Sequence, residues 1–148
     1  MATTRIIAMH RNKGCTAEQA LKARLDYIKN PEKTRDGELV TAFACHAATA
    51  DAEFALARKE YFEITGRWRE NEVIAYQIRQ SFKPGEVTAE EAHQIGIELA
   101  ERFLKGNHAF VVATHTDRRN IQKGLCQGLF SLFAMKIKAR CSFCFELV

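Results

Sequence analysis

At 148 residues with 47% hydrophobic content, the chain can bury one core without disulfides or a structural metal and is too short for several domains. The apolar run near its start, Arg5-Ile-Ile-Ala-Met9, gives way at once to His10, Arg11 and Lys13. It is far shorter than a signal-peptide core or a membrane span, so the expectation is a cytoplasmic protein with no membrane contact. The net charge is +4, yet residues 1–117 carry 16 Lys/Arg against 17 Asp/Glu and residues 118–148 carry six against one, so bulk basicity does not argue for a nucleic-acid partner.

Five cysteines, Cys15, Cys45, Cys126, Cys141 and Cys144, are odd in number and unevenly spread, which excludes a regular secreted disulfide framework and favours reduced thiols. Cys141 and Cys144 have a metal-compatible spacing, but no second pair or nearby histidine completes a four-ligand zinc site.

In chain order, Arg5 to Met9 reads as a strand and Asn12-Lys-Gly14 as a turn. Thr16 and Gln19 have the spacing of a capping box, Leu21, Leu25 and Ile28 recur at helical intervals, and Pro31 marks a stop, which predicts a helix over 17–29 with Tyr27 in its last turn. A second strand is expected over 39–45. A second helix follows over 50–65, with Thr49 as cap candidate, Asp51 and Glu53 near its N-terminus, the stripe Phe54, Ala57, Tyr61 and Ile64, and Gly66 as terminator. Trp68 falls in a polar connection.

The third strand, 73–82, places Ile74, Tyr76, Ile78 and Phe82 on one face, expected to be core, and Gln77, Arg79 and Ser81 on the other, expected to be wet. After the turn Lys83-Pro-Gly-Glu86, Thr88 and Glu91 form a second capping box for a helix over 89–105, with the stripe Ala92, Ile95, Leu99 and Phe103 and with Gly106 closing it. His108 to His115 is apolar enough to be a central strand. The order strand, helix, strand, helix, strand, helix, strand equally allows a doubly wound parallel sheet, but no glycine-rich phosphate loop follows any strand. Beyond residue 121 the texture changes to a basic, Cys- and Phe-rich stretch, so the chain divides into 1–121 and a divergent tail, 122–148.

Three strings resemble the MobA-type relaxases, or mobilisation nucleases: Leu25-Asp-Tyr-Ile-Lys-Asn-Pro-Glu-Lys-Thr34, Ala75-Tyr-Gln-Ile-Arg-Gln-Ser-Phe-Lys-Pro-Gly-Glu86 and His108-Ala-Phe-Val-Val-Ala-Thr-His-Thr-Asp117. They stand in the family's order and spacing and cover the N-terminal part only. The resemblance implies an α+β fold with a mainly antiparallel central sheet flanked by helices. It also implies site- and strand-specific nicking of single-stranded DNA at the transfer origin of a plasmid or integrative element, with other relaxosome proteins as partners. In such enzymes a tyrosine attacks the phosphodiester and stays joined to the 5′ phosphate. Mg²⁺ or Mn²⁺, held by three histidines, polarises the scissile phosphate.

On this resemblance Tyr27 is the nucleophile, which needs help because an ordinary phenol, with a pKa near 10, is ionised in only about one molecule in a thousand at neutral pH. His115 is the first metal histidine, and Asp117 is placed to orient it through the second ring nitrogen. The family's following His-x-His pair is replaced here by Gln122, Lys123 and Gly124. Glutamine is a weak neutral donor, glycine has no side chain, and lysine repels a cation, so nicking is expected to be impaired and metal binding poor. Lys29, Lys33, Arg35, Arg79 and Lys83 flank the motifs as candidate phosphate contacts, or else as an ordinary solvated surface. The competing reading is a noncatalytic single-stranded DNA-binding or regulatory module using the same surface.

Overall fold

The computed structural model describes residues 3–11, 13–66, 73–83 and 85–116, together with the backbone of residues 129–136. The elements are β1 (Thr3–Met9), α1 (Ala17–Ile28), a 3₁₀ turn (Pro31–Lys33), β2 (Val40–Phe43), α2 (Ala50–Thr65), β3 (Ala75–Ser81), α3 (Ala89–Leu104), β4 (His108–His115) and β5 (Leu129–Lys136). The strands form one sheet in the order β1-β3-β5-β4-β2, and every pairing is antiparallel. This is the α+β architecture with an antiparallel sheet flanked by helices; the doubly wound parallel alternative is excluded.

Local chemistry explains why the helices start where they do. The Thr16 side chain accepts from the Gln19 amide while the Gln19 side chain accepts from the Thr16 amide, and Thr88 and Glu91 make the same reciprocal pair ahead of α3. Thr49 caps α2 by position only, because its hydroxyl donates to Glu53 Oε1 at 2.6 Å. That hydroxyl and then the His46 amide hold the Glu53 carboxyl below the usual carboxylate range. Gly66 takes the left-handed conformation, φ 62°, that ends α2.

Helices cover both faces of the sheet. Ala109, Val111 and Ala113 of β4 and Ala75 of β3 pack against Leu21, Leu25, Ile28 and Phe54 of α1 and α2. Phe110 and Val112 of β4 and Ile78 of β3 pack against Ala100 and Leu104 of α3. This double cover corrects the expectation of a wet face on β3: Gln77 is 3% exposed, whereas Tyr76, expected in the core, is 51% exposed.

Two helix stripes also differ from expectation. On α3 the residues against the sheet are Ala92, His93, Gly96, Ala100 and Leu104, and Phe103 faces outward. The small residues at 92, 96 and 100 let the helix axis approach the sheet, so the contact stripe centres on them, with Leu99 partly buried against the same core and Phe103 left outside. On α2 only Ala50 and Phe54 are buried, and Tyr61 and Ile64 are exposed because the helix outruns α1.

A fifth strand lies beyond the four expected from the sequence. Its backbone lies in the 122–148 stretch and inserts between β3 and β4, pairing Leu129 with His115 and with Ser81. Trp68, Asp117, Gln122, Lys123, Gly124, Cys126, Cys141 and Cys144 lie outside the described residues. Cys15 and Cys45 are free thiols. Burial, and secondarily the Glu53 charge, pushes the Cys45 thiol up to about 11, which keeps it un-ionised and unreactive at neutral pH. Among the described residues no helix is long and apolar enough to cross a membrane.

Candidate functional site

The C-terminal turn of α1 meets the C-terminal end of β4. Ile28 points into the core and is fully buried, so its neighbour Tyr27 is turned outward and is 51% exposed. His115 ends β4 on the face that α1 covers, following the parity of Ala109, Val111 and Ala113. The Tyr27 and His115 rings then meet edge to face, with centroids 5.9 Å apart and planes at 74°.

Two further contacts fix this arrangement. His115 Nε2 donates to the Ile28 carbonyl at 2.8 Å. A carbonyl oxygen only accepts, so the proton sits on Nε2, and in the neutral ring the basic nitrogen is Nδ1. The backbone amide of Thr116 donates to the Lys33 carbonyl at 2.8 Å, tying the residue after His115 to the loop after Tyr27. That loop is set by Asn30, whose side chain accepts from the Glu32 amide, and by Thr34, which is fully buried and donates to the Asn30 carbonyl at 3.0 Å.

On the opposite face a second polar group braces the same strand end. His93 of α3 is buried between two hydroxyls, with Nε2 2.9 Å from Thr41 Oγ1 and Nδ1 3.0 Å from Thr114 Oγ1. A neutral imidazole offers one donor and one acceptor, and each hydroxyl supplies the complement. Burial pulls the His93 pKa down, which keeps that ring neutral. Sequence alone does not single out His93, since a histidine outside the three motifs carries no sign of what it will touch.

The five candidate DNA-contacting residues have different local surroundings. Lys29 donates its ammonium to the Ala47 carbonyl at 2.8 Å. Lys33 places Nζ over the Tyr27 ring, 4.1 Å from its centroid. Arg35 is ion-paired with Glu90, whose carboxyl is held below the usual range first by its own backbone amide and then by that guanidinium. Arg79 lies on β3, on the face that also carries His115, and Lys83 follows the strand. Arg5 of β1, which the sequence reading missed, stands directly opposite Arg79.

A family comparison gives this geometry its context. The description "Relaxase: MobA/VirD2-like, nuclease domain" matches residues 27–122, a span that begins at Tyr27 and includes His115. The chain belongs to the MobA/VirD2-like relaxase family. It is similar to a protein rlx of Staphylococcus aureus, 50% identical over 50 residues covering 34% of this chain and 16% of that protein. A second Staphylococcus aureus protein rlx is 44% identical over 70 residues, covering 46% of this chain and 21% of the relative. The group II intron-interrupted relaxase LtrB of Lactococcus lactis subsp. cremoris is 27% identical over 139 residues, covering 80% of this chain and 25% of its own length. The chain therefore spans a quarter or less of the length of these relatives. No solved structure matches it.

Relaxases of this family generally use a divalent metal, and the donor set can be tested for fit. Among the described residues no three His, Cys, Asp or Glu side chains converge at His115 or elsewhere. The described residues do not fit a resident Mg²⁺ or Mn²⁺, so no step is derived through one.

Proposed function

We propose that this chain is a relaxase-type domain that holds single-stranded DNA of a transfer origin beside Tyr27 and nicks it poorly or not at all. The observation that carries the reading is the contact of an exposed tyrosine with a buried, carbonyl-anchored histidine at one sheet end, 88 positions apart in the chain. A phenol that leaves the helix toward solvent can reach a phosphodiester, whereas one buried against the core could not. A histidine whose Nε2–H is fixed by a carbonyl has the ring orientation that metal-ligating histidines generally show.

The impairment follows from the missing partners. Gln122 and Gly124 stand where the family has its paired imidazoles, so charge developing on the scissile phosphate lacks the clamp that makes a weak phenol nucleophile effective. Asp117, next in line after His115 and Thr116, is the residue proposed to orient His115. On this reading the domain comprises residues 1–121 with a divergent segment over 122–148, and the chain works in the cytoplasm alongside other relaxosome proteins.

The deciding experiment incubates the chain with a labelled single-stranded oligonucleotide from the origin of its own element, with Mg²⁺ or Mn²⁺. Denaturing gels read covalent adduct and fluorescence anisotropy reads binding. The expected result is salt-dependent binding without adduct. A metal-dependent adduct lost in Tyr27→Phe would show a working nuclease, and absence of any DNA binding would remove the reading altogether.

A further inference from the structure

We propose that Arg5 and Arg79 together form a binding site for a backbone phosphate of single-stranded nucleic acid, on the same sheet face as His115 and two strands and one row away from it. The inference rests on the DNA-binding reading above and pairs Arg79, one of its candidate phosphate contacts, with Arg5.

The register places Arg5 of β1 directly across from Arg79 of β3, and directly opposed residues of an antiparallel pair project from the same face. Four residues before Arg79 on the same unbroken register, Ala75 packs into the α1–α2 core, and so do Ala109, Val111 and Ala113 ahead of His115. Arg79 and His115 therefore share the face from which Tyr27 is reached. That face has two halves. Helices α1 and α2 cover the β4 side with apolar residues, while toward β1 and β3 the inward positions near the His115 end are polar: Arg5, Arg79, Ser81 and Thr3.

Two like charges directly opposed on neighbouring strands destabilise a sheet unless something neutralises them. Among the described residues no carboxylate pairs with either guanidinium. Arg79 is partly buried; its Nη2 reaches Gln77 Oε1 at 3.3 Å, but its Nε is buried with no acceptor. A buried donor left unmade is costly. One anion with several acceptor oxygens would answer both features, since it can take the fork of each arginine and satisfy Nε.

The placement selects a phosphodiester over an isolated anion. Thr3, Ser81, Leu129 and His115 form the next row across the sheet, so Arg79 lies two strands over and one row down from His115. Strand and residue spacings make that about 12 Å between backbone positions, a separation a single strand lying on the sheet can bridge while its scissile phosphate sits by Tyr27.

The test uses the whole chain, a fluorescein-labelled dT₂₀ oligonucleotide, and the variants Arg5→Gln, Arg79→Gln and the double. Binding is measured by anisotropy between 50 and 200 mM NaCl. Each single substitution is expected to reduce the steepness of log K against log[salt] by about 0.7, the increment for one lost single-strand phosphate contact. Arg5→Gln should at the same time raise the melting temperature of the DNA-free protein by about 1–3 °C, because it removes a like-charge opposition. A structural arginine would lose stability instead. Unchanged slope and affinity in the double variant would overturn the site, and if Arg79→Gln does not fold, Arg5→Gln alone decides by the same two readings. Should the unmodified chain bind no dT₂₀, the DNA-binding reading falls on its own. The anion site is then judged by titrating inorganic phosphate while following the Arg79 Nε–H resonance: a saturable shift supports it and silence overturns it.

Discussion

His115 and Ile28, 87 residues apart in the chain, are joined by a 2.8 Å hydrogen bond from the imidazole Nε2 to the backbone carbonyl. The bond spans the last turn of α1 and the end of β4, and Tyr27 is the neighbour of its acceptor. Removing it should therefore be felt in stability, while removing the phenol hydroxyl should not. His115→Ala leaves a buried carbonyl without its donor and is expected to cost about 1–3 kcal/mol in urea unfolding. Tyr27→Phe keeps the ring against His115 and should stay within about 0.5 kcal/mol of the parent. Equal losses in the two variants would mean that the hydroxyl, not the imidazole, holds this corner.

The capping box ahead of α3 gives a second measurable quantity. Thr88→Ala removes the side-chain acceptor of the Glu91 amide and should cost about 1 kcal/mol, while Thr88→Ser retains it and should cost a few tenths. Urea midpoints at constant slope would report both. The same substitution at Thr49 should do less, since the Thr49 side chain makes no cap hydrogen bond.

What could be read from the chain, and what could not, divides along physical lines. Helix limits were legible to within a residue because Thr16, Thr88, Gly66 and Pro31 act on their immediate neighbours, and local chemistry is written locally. The buried stripe of α3 was not, because the approach of the helix to the sheet is decided by Ala92, Gly96 and Ala100 jointly with β4. Tyr27 and His115 were singled out by motif resemblance alone; nothing in the periodicity of either segment says that the two rings touch. The partners of Lys29 and Arg35, and the opposition of Arg5 to Arg79, depend on strand register and loop path between distant segments, which one-dimensional spacing does not encode. β5 was missed because its sequence, Leu-Phe-Ser-Leu-Phe-Ala-Met-Lys, lacks the clean alternation of a half-buried strand, and a strand inserted between two others has no need of it.

The buried His93 predicts how stability responds to acid. Its folded-state pKa is lowered from the ordinary 6.5 by burial, so on acidification the unfolded chain takes up this proton before the folded one does. The contribution of the neutral ring is complete above about pH 6.5 and is lost as the pH falls below it toward the folded-state value. Unfolding free energies measured from pH 8 to pH 5 should decline over the lower part of that range. In His93→Gln, which can still hydrogen-bond to Thr41 and Thr114, that part of the decline should disappear. An unchanged pH profile in the variant would assign the acid sensitivity to other groups.

Metal affinity offers the sharpest test of how the 122–148 segment relates to a relaxase centre. Position matters as much as residue type, because imidazoles share an ion only if the backbone aims them at one point. Gln122 and Gly124, the positions where motif spacing would put the missing histidines, precede the first residue of β5, Leu129. Leu129 pairs directly with His115, and Ser131 is the next position of the same parity. Direct antiparallel partners have Cβ atoms about 4.5–5.5 Å apart, close enough for two imidazoles to bind one ion. The double variant Leu129→His, Ser131→His should therefore gain Mn²⁺ or Co²⁺ affinity by calorimetry and show metal-dependent stabilisation. That gain should vanish when His115→Ala is added. Gln122→His, Gly124→His is the matched comparison, and the 129/131 pair is expected to show the higher affinity of the two. If instead the 122/124 pair acquires the metal and the 129/131 pair does not, the segment before β5 supplies the ligands, and the register between β4 and β5 is not the frame on which this family's metal centre would be rebuilt.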